Sequence, residues 1–227
     1  GDWDGDGYDD VLIGADGDDD GGSNAGAAYV LLGPLAGTIN LADAHFKMIG
    51  EASTDKVGFS LDNIGDMNED GYGDVIVGAY LQDYTATDAG MAYLVFGNTT
   101  SSSMDLSVAD VKIAGEVKNH NAGYSVAGLG DIEGDGDVEV LVGAPKADSN
   151  AGRAYLLYGP LTEDVELSDA DAVFTGEAAS NFVGRSLDGA GDVNGDGYRD
   201  MLMGAQGEDT GAKDAGAIYI MLGLSGW

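Results

Sequence analysis

Four stretches of the chain repeat one arrangement: GDWDGDGYDDVLIGA (1–15), GDMNEDGYGDVIVGA (65–79), GDIEGDGDVEVLVGA (130–144) and GDVNGDGYRDMLMGA (191–205). Each crowds acidic side chains onto alternate positions of a tight turn and then runs straight into a short apolar segment. The first aspartates of the turns stand at 2, 66, 131 and 192, which gives spacings of 64, 65 and 61 residues. That period restricts the fold more than any other feature, because each repeat must be a unit that buries its apolar face against its neighbours.

The rest of each unit recurs in step. A polar loop and an alternating segment follow the turn: AAYVLLG (27–33), MAYLVFG (91–97), RAYLLYG (153–159) and AIYIMLG (217–223). Next comes FKMIGE (46–51), VKIAGE (111–116) or VFTGE (173–177). Last is VGFSLDNIGD (57–66), AGYSVAGLGD (122–131) or VGRSLDGAGD (183–192), which leads into the next turn. These segments have strand length, are rich in Val, Ile, Leu and Tyr, and are punctuated by glycine. None sustains a helical apolar spacing. The runs behind the turns are apolar on both faces, as suits inner strands covered on either side.

Four antiparallel strands at this period predict an all-β fold, a β-propeller of four-stranded blades. A solenoid of single strands would repeat every ~20–29 residues. The count is fourteen strands, so residues 1–227 are read as one segment of about three and a half to four blades from a longer propeller. A closed four-bladed ring is the alternative.

The charge of the turns needs a counterpart. Numbered from the first Asp, the turns span 2–10, 66–74, 131–139 and 192–200. Side chains at positions 1, 3, 5 and 9 are Asp2, Asp4, Asp6 and Asp10; Asp66, Asn68, Asp70 and Asp74; Asp131, Glu133, Asp135 and Glu139; and Asp192, Asn194, Asp196 and Asp200. Position 7 offers a backbone carbonyl from Tyr8, Tyr72, Asp137 or Tyr198. Glycine at position 6 permits the positive φ that curls the chain around a centre. Such an all-oxygen, partly carbonyl set suits Ca²⁺ better than Mg²⁺, and zinc lacks its Cys and His. An EF-hand would carry Glu at position 12, where this chain has Ile13, Val77, Val142 and Met203. Up to four Ca²⁺ are expected, with the third site weakest because Glu133, Asp137 and Glu139 depart from the pattern.

Those ions account for only part of the acidity. The chain has 9 Lys+Arg against 41 Asp+Glu, a formal charge of -32. Four dications would bring it to about -24, leaving a solvated acidic surface or a cation-seeking face. The balance disfavours nucleic acid, whose backbone must be neutralised by basic residues, and an anionic membrane surface. No apolar run is long enough to insert into a membrane as a helix. Cys is absent, so no disulfide staples the fold.

The stretches VGFS…GDMNEDGYGDVIVGA and AGYS…LVGAP resemble the FG-GAP repeat of integrin alpha-chain propellers. Gly58-Phe59 and Gly123-Tyr124 match its FG element, and Gly143-Ala144-Pro145 its GAP element. Departures are Arg185 in place of the aromatic, and Asp16, Tyr80 and Gln206 in place of the proline. The resemblance extends over nearly the whole chain. It implies a seven-bladed ring, structural calcium on the lower face, ligands on the opposite face and an extracellular or cell-surface setting, as in the large surface and secreted proteins of bacterial relatives.

The loops at 16–26, 80–90, 145–152 and 206–216, with the linkers 53–58, 117–123 and 178–184, are expected on that opposite face. Asp16, Asp18, Asp19, Asp20, Asp83, Asp88, Asp148, Glu208 and Asp209 would ring it. The expected function is adhesion or protein interaction, with a protein or cell-surface ligand and the remaining blades as partners. Catalysis is not expected. His45 and His120 read as surface residues, no G-x-S-x-G elbow exists, and no carboxylate pair is marked as catalytic. The alternatives are a scaffold or active domain of a secreted polysaccharide-degrading or other hydrolytic enzyme, and a structural unit of a surface layer or filament.

Overall fold

The computed structural model describes residues 1–100, 102–213 and 215–223; the last residues of GLSGW, and any strand expected beyond them, lie outside that range. The described chain is an all-β partial propeller of about four blades. The first blade holds β1 (Val11–Ala15), β2 (Ala27–Leu31) and β3 (Phe46–Ile49). The second holds β4 (Ser60–Gly65), β5 (Asp74–Ala79), β6 (Met91–Val95) and β8 (Val111–Ala114). The third holds β9 (Ser125–Gly130), β10 (Glu139–Ala144), β11 (Arg153–Leu157) and β13 (Ala172–Thr175). The fourth holds β14 (Val183–Gly191), β15 (Asp200–Ala205) and β16 (Ala217–Met221).

Within each blade these fourteen strands pair antiparallel in sequence order. Two short strands were not anticipated. β7 (Ser102–Asp105) leaves the second blade to pair in parallel with β3, and β12 (Val165–Glu166) leaves the third to pair in parallel with β8. The second and third units therefore each cover the outer edge of the one before, which protects those edge strands.

The core lies between sheets. One cluster joins Ala28, Val30 and Met48 of the first blade to Val77, Met91 and Tyr93 of the second. Another joins Ile76, Leu94 and Ile113 to Val126, Val142 and Tyr155, and a third joins Leu129, Leu141 and Leu156 to Met201. β5 and β10 are buried along their whole length, as their doubly apolar sequence predicts. β16 is not, and Ile218 and Ile220 are 74% and 53% exposed on the outward flank of the fourth blade.

The linkers hook each blade to its predecessor. Parallel bridges join Gly26 to Val57, Gly90 to Ala122 and Gly152 to Val183. Ser60 Oγ donates to the Gly123 carbonyl at 2.9 Å, and Ser125 Oγ to that of Gly184 at 2.8 Å. The recurring tyrosines extend the link. Tyr93 donates to Glu51, which also holds Lys112, and Tyr219 donates to Glu177. Each of those glutamates closes the outer strand of the preceding blade.

One linker carries a buried charge. Asp55 is 3% exposed and accepts from the Ala52 amide. Burial pushes its carboxyl up to about 6 despite that amide, with Glu51 and Asp83 adding like charge. Asn181 holds the same place in the last linker, accepting from Ala178 N–H and donating to the Gly207 carbonyl. Because the folded value lies above the ordinary 3.8, the stability Asp55 contributes is complete below that value and lost as pH rises through about 6. Asp55→Asn is therefore expected to match the parent near pH 4 and to exceed it above pH 7 by about 1–2 kcal/mol. Melting curves of both proteins across that interval check this, and parallel curves would contradict it.

Candidate metal centre

Strand direction puts all four acidic turns at one end of the blades: the first leads into β1, and the others join β4 to β5, β9 to β10 and β14 to β15. The turns close through their own amides. Asp2 accepts from Asp6 and Gly7 N–H, Asp66 from Asp70 and Gly71, and Asp192 from Asp196 and Gly197, all at 2.8–3.1 Å. Position 3 accepts from the position 5 amide in Asp4, Asn68 and Asn194, and position 5 accepts from the position 7 amide in Asp6, Asp70 and Asp196. These amide donors, Gly197 N–H foremost, hold the Asp192 carboxyl below its ordinary range. Carbonyl oxygens of Tyr8, Tyr72 and Tyr198 sit at position 7, and the Tyr8 side chain itself is exposed.

Position 9 has a second task. Asp10 accepts from Trp3 and Gly33 N–H, Asp74 from Met67 and Gly97, and Asp200 from Val193 and Gly223. These carboxylates clasp the turn to the end of the strand two places on. Asp74 and Asp200 are fully buried there, and burial pushes Asp74 up to about 6.

The third turn differs in a telling way. Asp131 accepts from Gly134 and Gly136 N–H, and Asp135 from Asp137 N–H. Glu139 Oε2 accepts from Ile132 N–H, but its Oε1 is buried without a partner. Oxygens of Glu133, Asp135 and Glu139 lie within 4.8 Å of one another, as do those of Asp2, Asp4 and Asp10 in the first turn. Burial, with Asp131, Asp135 and Glu133 alongside, pushes the Glu139 carboxyl up to about 7. A buried carboxylate with one unpaired oxygen and two more carboxylates beside it is costly unless a cation or proton meets it. This donor set fits a hard dication. In the second and fourth turns the position 3 amide takes the matching place, with Asn68 and Asn194 Nδ2 donating to Asp70 and Asp196.

Position 2, which carries no ligand, was not singled out in the sequence. Trp3, Met67 and Ile132 are buried in the three clusters between blades, with Trp3 stacked 5.3 Å from Phe46. A large apolar residue inside an otherwise polar turn was the available signal. Val193, in the fourth turn, is 54% exposed. Closure of the first three turns is thus coupled to sheet packing.

The opposite face is less acidic than its sequence suggested. Lys47 pairs with Asp18 and Asp20, Lys56 with Asp16, and Arg153 with Asp148. Arg199 is the one basic residue within the four turns. Phe59, Tyr80 and Tyr124 cluster on that face with centroids 4.7–5.2 Å apart, and the Arg185 guanidinium lies 5.4 Å from the Tyr124 ring. Of the tyrosines at equivalent strand positions, which their recurrence predicts as packing residues, Tyr29, Tyr93 and Tyr155 are buried, whereas Tyr219 in the last described blade is half-buried.

Residues 122–157 and 183–221 match the FG-GAP repeat. The chain is 29% identical over 175 residues to integrin alpha-5 of Xenopus laevis, covering 73% of this chain and 16% of that protein. It is 34% identical over 157 residues to integrin alpha-7 of Rattus norvegicus, covering 69% and 13%. With integrin alpha pat-2 of Caenorhabditis elegans it shares 28% over 221 residues, or 90% and 17%. The chain therefore spans at most 17% of the length of these relatives.

Proposed function

We propose that this chain, an integrin alpha-like bearer of FG-GAP repeats, is a calcium-stabilised module of an extracellular or cell-surface protein, serving adhesion or protein interaction. The observation that carries the metal reading is Glu139, whose buried Oε1 has no partner and whose carboxylate groups with those of Glu133 and Asp135. Ca²⁺ bound there supplies the missing charge and lets the turn close, while the protein supplies carboxylates on fixed strands and an apolar anchor at position 2. The metal is structural. Asp2, Asp4, Asp6 and Asp10, Asp66, Asn68, Asp70 and Asp74, and Asp192, Asn194, Asp196 and Asp200 hold the other three ions, with the carbonyls at position 7.

The remaining blades of the ring are the first partners. Gly204 and Gly216 on the fourth blade line a cavity of about 750 Å³ with Arg185, Ser186 and Ile218. On the earlier blades the corresponding glycines meet the next linker, as Gly143 meets Gly184. A ligand docks on the face opposite the turns, where exposed Phe59 and its two tyrosines offer the aromatic surface that interfaces favour.

Calorimetric titration with CaCl₂ tests the metal. Binding at up to four sites is expected, and Glu139→Gln should remove one of them. Without calcium the same substitution should raise stability, because it neutralises a buried charge; destabilisation under both conditions would count against the reading. Beads coated with the chain, presented to arrays of matrix proteins and polysaccharides, test adhesion. Retention that needs calcium and is lost in Phe59→Ser supports it. Release of reducing sugar ends would favour the hydrolase alternative.

A further inference from the structure

We propose that Asn194, at position 3 of the fourth turn, is a self-modification site: it deamidates through the Gly195 backbone nitrogen, and the state of the turn sets the rate. Asn194-Gly195 is the single Asn-Gly pair in the chain. Glycine leaves its own nitrogen unhindered, because no Cβ blocks approach to the neighbouring side chain. In the reaction the Gly195 amide gives its proton to hydroxide and its nitrogen bonds to Asn194 Cγ. The Cγ–Nδ2 bond breaks, and Nδ2 leaves as ammonia after taking a proton from water, which regenerates hydroxide. Water then opens the cyclic imide to aspartate or isoaspartate.

The folded turn engages the reacting groups in hydrogen bonds. Gly195 N–H donates to Asp192 Oδ1 at 2.6 Å. Asn194 Oδ1 accepts from Asp196 N–H at 2.9 Å, and Nδ2 donates to Asp196 Oδ2 at 2.8 Å. Cyclisation takes the Gly195 proton out of its bond to Asp192 and frees Nδ2 from Asp196, so the reaction proceeds from the opened turn. In this chain the turn also lies on a flank that no further blade covers: its position 2 residue, Val193, is 54% exposed, whereas Trp3, Met67 and Ile132 are each at most 2% exposed and packed between sheets.

The two products differ in consequence. Aspartate at position 3 is what the first turn carries in Asp4, which accepts from Asp6 N–H as Asn194 does from Asp196. The aspartate product therefore retains the turn and adds a carboxylate. Isoaspartate lengthens the backbone by a methylene and cannot reproduce the ring of amide bonds.

The site stands on these local bonds, and only its calcium dependence rests on the function proposed above. The test is to age the full chain at mildly alkaline pH with calcium or with chelator and to map peptides by mass. The expected result is a one-dalton gain at Asn194 and none at Asn68, whose follower is Glu69. Calcium at about ten times its dissociation constant should slow the gain by about tenfold, since only the open turn reacts. No gain at Asn194 in chelator, or an equal gain at Asn68, overturns the proposal. A gain at Asn194 that ignores calcium supports the modification and refutes an ion in that turn. Asn194→Asp, the product mimic, should show no gain there and should still titrate with calcium.

Discussion

Chelating divalent ions is expected to lower the melting temperature of this chain by on the order of 10–45 °C. Free calcium at about ten to a hundred times the dissociation constant stabilises by about 1.4–2.7 kcal/mol per site. Each kcal/mol is worth roughly 2–4 °C in a chain of this size. Four sites acting on one cooperative stack of sheets give that range. The shares should be unequal. Both turns are clasped by fully buried aspartates, Asp74 and Asp200, but the second is tied to a sheet interface by Met67, whereas in this chain the fourth carries exposed Val193 at that position. Asp70→Ala should therefore remove more of the calcium-dependent shift than Asp196→Ala. A melt that ignores the chelator would end the argument for a stabilising ion. Equal losses in the two variants would show that the anchors at position 2 transmit nothing.

The second large effect needs no ion. Gly90→Ala is expected to cost about 3–5 kcal/mol, combining a left-handed backbone with a collision in the core. Gly90 has φ +81, and a Cβ there would stand 2.1 Å from the Ala122 carbonyl oxygen and 2.5 Å from its nitrogen. Both obstacles are backbone in the hook between the second and third blades. Gly90 N–H also donates to the Gln82 carbonyl, and the Gly90 carbonyl accepts from Gly115. Nothing there can rotate away. Gly37, at φ +77 with open space around it, is the control, and its alanine variant should lose only about 1–2 kcal/mol. Urea unfolding of both variants separates collision from conformation. Equal losses would mean that the inter-blade hook yields easily.

Much of the site was legible in advance, because a turn is local. Alternate oxygens from Asp192 to Asp196 and the glycine at position 6 are properties of nine consecutive residues, and the turn closes on its own amides, with Asp192 accepting from Gly195, Asp196 and Gly197 N–H. The dual use of position 9 was not legible. Asp74 meets Gly97 and Asp200 meets Gly223, contacts across 23 residues that leave no mark in the turn. Glu133 and Glu139 looked like departures from the pattern. The fold gathers them with Asp135 and buries Glu139, which turns an irregular copy into the one with an unsatisfied oxygen.

By itself the sequence determined the repeat, the fourteen blade strands and the end of each blade at which its acidic turn lies, since periodicity and strand length are local quantities. Tertiary structure alone decided which side chains join one sheet to the next. It routed β7 and β12 onto foreign edges and set Trp3, Met67 and Ile132 between blades. Those choices turn on which neighbour supplies the covering surface, and a linear pattern of apolar residues records that a face is buried without recording against what.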